Sequence, residues 1–268
     1  MKNFMMDLAP RTKVAAFAST DDLVEHAVER FIQAVCKKGK NHTFHVAFSG
    51  GRIAKPFLAT LAQSLSQCAQ KRASLEVYFA DERCVPLDHS DSNFSLFVNH
   101  FLPFHRLEDH QLHPYRVDLN PDVASEHMVE IIQKKVNQNS AGMPIFDLII
   151  LGMGEDGHVA SLFPENMEKD IENDAWIHKA SASKAPTRRL TMGYRLLETA
   201  RNAWVMVSGK GKGQMVTQVL KESTFPLGYL MYSRVMTHLW TDFPLQIDSD
   251  LQDHPTCNDA STRECSQA

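Results

Sequence analysis

Between Phe146 and Pro164 the chain reads FDLIILGMGEDGHVASLFP. A short apolar run breaks into Gly152, Gly154 and Gly157, interleaved with Glu155 and Asp156, and then presents His158 just ahead of Ser161. An imidazole two residues from a carboxylate can move a proton with the carboxylate as its orienter. Glycines at a strand end leave backbone N–H groups free to meet an anion. Three other stretches carry related chemistry: Ser49-Gly50-Gly51, Asp81-Glu82-Arg83 and Ser208-Gly209-Lys210-Gly211-Lys212. The glycine turns supply backbone donors, and Arg83 and Lys212 supply positive charge. A lysine at the start of a helical pattern opposes the helix dipole, which suits a side chain directed at a ligand. These stretches together favour a phosphorylated small molecule with a reaction at its other end.

Each stretch follows an apolar run that reads as a strand. Thr43 to Phe48 precedes Ser49, Leu75 to Ala80 precedes Asp81, Leu148 to Leu151 precedes Gly152, and Ala203 to Val207 precedes Ser208. Between them lie segments of helical period. Thr20, a plausible N-cap, opens one that carries Leu23, Val24, Ala27, Val28, Phe31, Ile32 and Val35 and stops at Lys37, Lys38 and Gly39. Others run through Phe57 to Leu65, Phe94 to Leu102, Pro121 to Lys135 and Met215 to Leu220. Further strands are expected at Leu112 to Val117, Trp176 to Ala180, Arg188 to Met192 and His238 to Thr241. Strands separated by helices predict an α/β fold, a single-domain doubly wound, mostly parallel sheet with helices on both faces. In such sheets ligands bind outside the carboxyl ends of the strands, so all four polar strand ends are expected on one edge. Residues 1–245 read as this domain, and 246–268, polar and without period, as a disordered tail.

Composition narrows the function classes. A chain of 268 residues, 43% hydrophobic and 22% charged, can bury a full core. A formal net charge of −4 leaves no basic face for a nucleic-acid backbone. No run approaches the ~18 apolar residues of a membrane span, and MKNFMMDLAPRTK has no apolar signal core. Cys36, Cys68, Cys84, Cys257 and Cys265 are odd in number, scattered and never in a C-x-x-C pair, which fits a reducing compartment. The reading is a cytoplasmic protein with no nucleic-acid or membrane partner.

Several familiar motifs are missing. Ser49-Gly50-Gly51 is followed by no Gly-Lys-Ser/Thr and forms no G-x-G-x-x-G, so nucleotide binding is not supported. Ser161 lies outside a G-x-S-x-G elbow. His100, His105, His110 and His113 do not fall on one helical face and no acid pair or cysteine completes a shell, so no metal is expected.

Taken together the stretches resemble the 6-phosphogluconolactonase family over roughly residues 20 to 245. GMGEDGHVASLFP is similar to its G-[MI]-G-x-D-G-H-[TV]-A-S-L-F-P signature, and FADERCVPLDHSDSNF to its D-E-R-x-V-P-x-x-x-x-x-S-N segment. APTRRLTM resembles P-P-x-R-[IV]-T-L, which aligns Arg189 with the family arginine. VSGKGKGQMV resembles T-G-x-G-K-A, which gives the lysine position to Lys212 rather than Lys210. The implied fold is the one shared with sugar-phosphate isomerases, deaminases and CoA transferases. The departures are Arg52-Ile53-Ala54-Lys55 where the family often has S-T-P-K after its glycines, Ser208 for Thr, Gly213 for Ala, and Ala185 for one proline.

The resemblance implies hydrolysis of 6-phospho-D-glucono-1,5-lactone to 6-phospho-D-gluconate in the oxidative pentose phosphate pathway, with no cofactor and no metal. His158 is then the general base on water and Asp156 its orienter. The phosphate and sugar hydroxyls fall to Ser49, Gly50, Gly51, Asp81, Arg83, Gly154, Arg189 and Lys212. Asp81 is expected to bind a sugar hydroxyl or fix Arg83 rather than to act as the base. The expected partner is the small-molecule sugar phosphate lactone, and the expected state a monomer or weak homodimer. A glucosamine-6-phosphate deaminase shares the sheet, the S-G-G turn and a G-x-G-x-D-G-H core, but its family continues G-H-I-A-F-N-E-P and carries D-E-Y. This chain has Ala160-Ser161-Leu162-Phe163 and Asp81-Glu82-Arg83 at those places. A sugar-phosphate-binding protein without catalysis is a third reading, disfavoured by the retention of both Asp156 and His158.

Overall fold

The structure is a computed structural model that describes residues 12–67 and 73–245. The tail expected over 246–268 lies outside the described residues, as do Cys68, Cys257 and Cys265. In chain order the elements are β1 (Thr12–Ala16), α1 (Thr20–Lys38), β2 (Thr43–Phe48), α2 (Ala54–Gln67), β3 (Ser74–Phe79), β4 (Asp81–Arg83), α3 (Asn93–His100), β5 (Leu112–His113) and α4 (Pro121–Lys135). There follow β6 (Leu148–Leu151), α5 (Met167–Glu172), β7 (Ile177–Ser181), β8 (Arg188–Met192), α6 (Tyr194–Thr199), β9 (Ala203–Val207), α7 (Gly213–Lys221), α8 (Pro226–Ser233) and β10 (Thr237–Thr241).

Among the described residues the main sheet has the order β1-β10-β9-β6-β2-β3-β5, with every neighbouring pair parallel. Central strands β6 and β9 are buried at every position, as strands covered on both faces must be. On one face Phe48 of β2 packs against Phe31 of α1, Phe57 of α2 and Phe97 of α3, with ring centroids 5.5–6.5 Å apart. On the other, Tyr78 of β3 meets Phe146 edge-on at 5.1 Å. The chain runs outward from β2 to β3 and β5, then returns to β6 and continues through β9 to β10, with β1 beyond it at the opposite edge. The order therefore reverses between β2 and β6, and the crevice above such a junction is where this architecture binds ligands.

Three local differences from the sequence reading have physical causes. The N-cap of α1 is Ser19, one residue before Thr20, its Oγ accepting from Asp22 N at 3.1 Å. The strand expected over Leu112 to Val117 stops at His113, because Pro114 has no N–H to give the ladder. Asp81-Glu82-Arg83 is more than a strand end. It forms β4, which pairs antiparallel with β8, and β8 pairs antiparallel with β7. The strands expected near 176–180 and 188–192 thus build a second, small sheet that walls the ligand crevice instead of joining the main one. Elements β1, α5, α6 and α8 were not legible at all.

In α5, which precedes β7, Asp170 is buried with Oδ1 3.7 Å from His178 Nε2, too far for a hydrogen bond. Burial raises its pKa from 3.8 to about 6, with Lys169 opposing weakly. A carboxyl whose folded pKa lies above its unfolded value stabilises the fold in acid, and that contribution is lost as pH rises through the interval between the two. Asp170→Asn is therefore expected to gain thermal stability over the wild type as pH rises from about 4 to about 6, with a constant difference above. Melting curves across that range check it, and parallel curves for the two proteins would refute it.

Candidate active site

The four polar strand ends converge on one cleft of about 610 Å³ above the β2–β6 junction. Ser49, Gly50, Gly51, Asp81, Arg83, Gly154, Asp156, His158, Arg189 and Lys212 all line it, so the ten residues expected to hold or transform the substrate lie at this place. Arg52, Glu155, Ser161, Phe163, Ser208 and the β7–β8 hairpin residues Ala182 to Lys184 complete its wall.

The glycine turn after β6 carries the imidazole. His158 Nδ1 lies 2.6 Å from Asp156 Oδ1, and the same oxygen accepts the His158 backbone N–H at 3.2 Å. With Nδ1 engaged, Nε2 has no hydrogen-bond partner among the described residues, and His158 lines the cleft. The turn closes through Gly154 N to His158 O at 2.9 Å and needs Gly157 at φ 82°. Partial burial would raise the Asp156 pKa, but the hydrogen bond and charge of His158 and the backbone donors outweigh it and bring the value to about 2. Asp156 is thus an anion at any working pH, and a neutral imidazole bonded to it must carry its proton on Nδ1 and leave Nε2 basic. The ring packs on Phe163, centroids 4.8 Å apart. Ala160 holds φ 51°, an uncommon conformation for a residue with a Cβ. Its position is pinned by the turn in which Val159 and Leu162 exchange backbone bonds.

The floor of the cleft is a buried carboxylate. Asp81 Oδ1 accepts from Ser49 Oγ at 2.8 Å and Asn93 Nδ2 at 3.1 Å, and Oδ2 accepts from Ser161 Oγ at 2.7 Å. Both oxygens being occupied, Asp81 ties the first glycine turn, α3 and the histidine segment to one point. Next to it, buried Glu82 accepts the backbone N–H groups of Arg83, Asn93 and Phe94 at 2.7–2.9 Å and the Ser92 hydroxyl at 3.0 Å. Burial pushes its pKa up and those bonds oppose the shift. Its place is the N-terminus of α3, where a carboxylate complements free amides.

Cations occupy the walls. Arg83 and Arg189 face each other as partners across β4 and β8. Arg83 Nη1 donates to Asp91 O, while its Nε is buried without an acceptor among the described residues. Arg189 Nε donates to Pro186 O at 2.8 Å; burial lowers its pKa, and Arg83 adds to the fall against the pull of Asp81, Glu82 and Asp91. Lys212 donates to Met153 O, and burial and then Arg52 lower its pKa against Glu155 and Asp156. None of Arg52, Arg83, Arg189 and Lys212 has a carboxylate within 4.0 Å among the described residues. Arg83, Arg189 and Lys212 are partly buried and Arg52 is exposed at the cleft mouth; partly buried cations left without acids make a receptor for an anion. The last turn, Ser208-Gly209, is held by Asp242, which accepts from Ser208 Oγ at 2.6 Å, Gly209 N at 2.9 Å and Thr20 Oγ1 at 2.6 Å.

Asn93, Ser161, Glu82 and Asp242 are the supporting residues that sequence reasoning did not assign. Ser161 carried a signal, since it lies within the same motif as His158; Asp242 carried none.

A family profile described as glucosamine-6-phosphate isomerases/6-phosphogluconolactonase matches residues 18–240. A probable 6-phosphogluconolactonase of Schizosaccharomyces pombe is 31% identical over 225 residues, covering 79% of this chain and 85% of that protein. A 6-phosphogluconolactonase of Pseudomonas putida is 35% identical over 199 residues, covering 73% and 75%. The crystal structure of a 6-phosphogluconolactonase from Thermotoga maritima superposes with a TM-score of 0.69 at 27% identity, covering 86% of this chain and 98% of that one.

Proposed function

The chain belongs to the glucosamine-6-phosphate isomerase/6-phosphogluconolactonase family, and from that premise we propose that it hydrolyses 6-phospho-D-glucono-1,5-lactone to 6-phospho-D-gluconate. The observation that carries this reading is a histidine with one nitrogen tied to an ionised aspartate and the other open to a cleft walled by unpaired cations. An ester carbonyl already accepts attack by water, so the protein must supply a base, an anchor and modest oxyanion stabilisation. His158 Nε2 takes a proton from water as its oxygen adds to C1. The resulting imidazolium is stabilised by Asp156, and it returns the proton to the ring oxygen as the C1–O bond breaks. Arg83, Arg189, Lys212 and the N–H groups of Gly50 and Gly51 hold the phosphate and the sugar hydroxyls, while Asp81 organises the floor. The protein acts in the cytoplasm, as a monomer or weak homodimer.

The test is lactone generated in situ, with acid release compared against spontaneous hydrolysis and ammonia release from glucosamine 6-phosphate followed in parallel. Acceleration of lactone opening alone is expected. Ammonia release would transfer the protein to the deaminase branch, and inertness in both would leave a sugar-phosphate binder.

Lys212→Ala is expected to raise KM roughly 10-fold or more, with a smaller change in kcat, because a charge-assisted bond to phosphate is made in ground and transition states alike. Initial rates over a range of lactone concentrations separate the two constants. An unchanged KM would leave Lys212 the role of a partly buried amine bonded to Met153 O.

A further inference from the structure

We propose that Arg52, where the family pattern often has a small hydroxyl residue, is a phosphate ligand that sets the preference of this cleft for phosphorylated over neutral lactones. The proposal rests on the lactonase reading above and adds to it the side chain that does the discriminating.

Arg52 directly follows Gly51, which holds φ 123°, and precedes α2, so its side chain leaves the first glycine turn at the mouth of the cleft. From there it lies against the other glycine turn. Arg52 Nη2 is 3.5 Å from the point that a Cβ on Gly209 would occupy, so the guanidinium rests over bare backbone. Gly209 itself holds φ 101°, and Asp242 fixes its N–H. The guanidinium is thus aimed at a fixed surface three residues from Lys212.

The electrostatics point the same way. Arg52 is close enough to Lys212 to lower its pKa. Neither has a carboxylate within 4.0 Å among the described residues. Asp242, the acid that holds that turn, is occupied by Thr20, Ser208 and Gly209. Arg52 is exposed at the mouth of the cleft, so its guanidinium is open to an incoming anion. Two like charges converging beside the first glycine turn are stabilised by a doubly charged anion placed between them. The planar fork of a guanidinium can take two phosphate oxygens at once, where a hydroxyl takes one. The anion is the phosphate of the substrate, since the acyl end has to reach His158. A lactone without that phosphate gains nothing from Arg52.

The measurement is the ratio of kcat/KM for 6-phosphogluconolactone over that for unphosphorylated glucono-1,5-lactone, together with calorimetric Kd values for 6-phosphogluconate and gluconate. Arg52→Ser is expected to lower the rate ratio roughly 10- to 100-fold, chiefly through KM for the phosphorylated lactone, and to weaken 6-phosphogluconate binding by a similar factor. Arg52→Lys is expected to recover part of both, a point charge replacing the fork. An unchanged ratio in Arg52→Ser overturns the proposal, and so does an equal loss on both lactones. The wild type scores the lactonase reading separately. If it fails to accelerate lactone opening, that reading falls, and 6-phosphogluconate binding alone then decides Arg52, with an unchanged Kd in Arg52→Ser overturning its role.

Discussion

Replacing His158 by glutamine is expected to lower kcat about 100-fold or more while KM and the melting temperature stay near the wild-type values. Glutamine can still reach Asp156 and pack on Phe163, so what it removes is a nitrogen able to accept a proton. The imidazole is partly exposed at the cleft, its side chain showing 32% of its surface. Stopped-flow rates with fresh lactone, corrected for spontaneous opening, provide the number. Asp156 keeps its charge down to a pH of about 2, so a fall in rate on acidification above that value belongs to another group. Near-normal turnover would sink the assignment. Asp81 could not simply take over, because Ser49, Asn93 and Ser161 occupy its oxygens; the exposed Glu155 would become the candidate.

What the sequence revealed and what it hid divide along one physical line. The reacting parts sit where apolar strands end, and a strand followed by Gly, Asp or Lys is a local pattern that can be read without knowing the fold. The reversal of strand order between β2 and β6 then brings those ends together. The supports of the site are contacts over long sequence separations. Ser161 reaches Asp81 across 80 residues, Ser208 reaches Asp242 across 34, and Thr20 reaches the same acid across 222. No spacing rule reports such pairs. The small sheet was illegible for a related reason, since β4 has three residues and its place is decided by the backbone of β8 rather than by any alternation of its own. Helix α8 failed the opposite way. Its run PLGYLMYS is apolar nearly all round and shows no polar face, while Gly228 lies so close to Glu222 O that a Cβ there would stand 2.1 Å from it.

A single methyl group at Gly154 is expected to cost nearly as much as the loss of His158, and for a different reason. A Cβ on Gly154 would stand 2.0 Å from His158 Nδ1, 2.2 Å from its Cε1 and 2.6 Å from Asp156 Oδ1. No such contact survives, so the imidazole or the carboxylate must leave. Gly154 does not have the positive φ of Gly157, so alanine strains no backbone there and the damage is confined to the pair. The ring can swing outward because it lies at the cleft surface, which leaves the fold standing. A base displaced by about 1 Å loses on the order of 100-fold in rate. Gly154→Ala is therefore expected to lower kcat about 100-fold with a near wild-type melting temperature. The double variant Gly154→Ala/His158→Gln is expected to be no slower than His158→Gln alone, because both changes disable one unit. Additive losses would mean that Gly154 acts elsewhere, for instance by bringing its backbone against the substrate. Full activity in Gly154→Ala would mean that turnover does not require the His158–Asp156 pair in the geometry seen here.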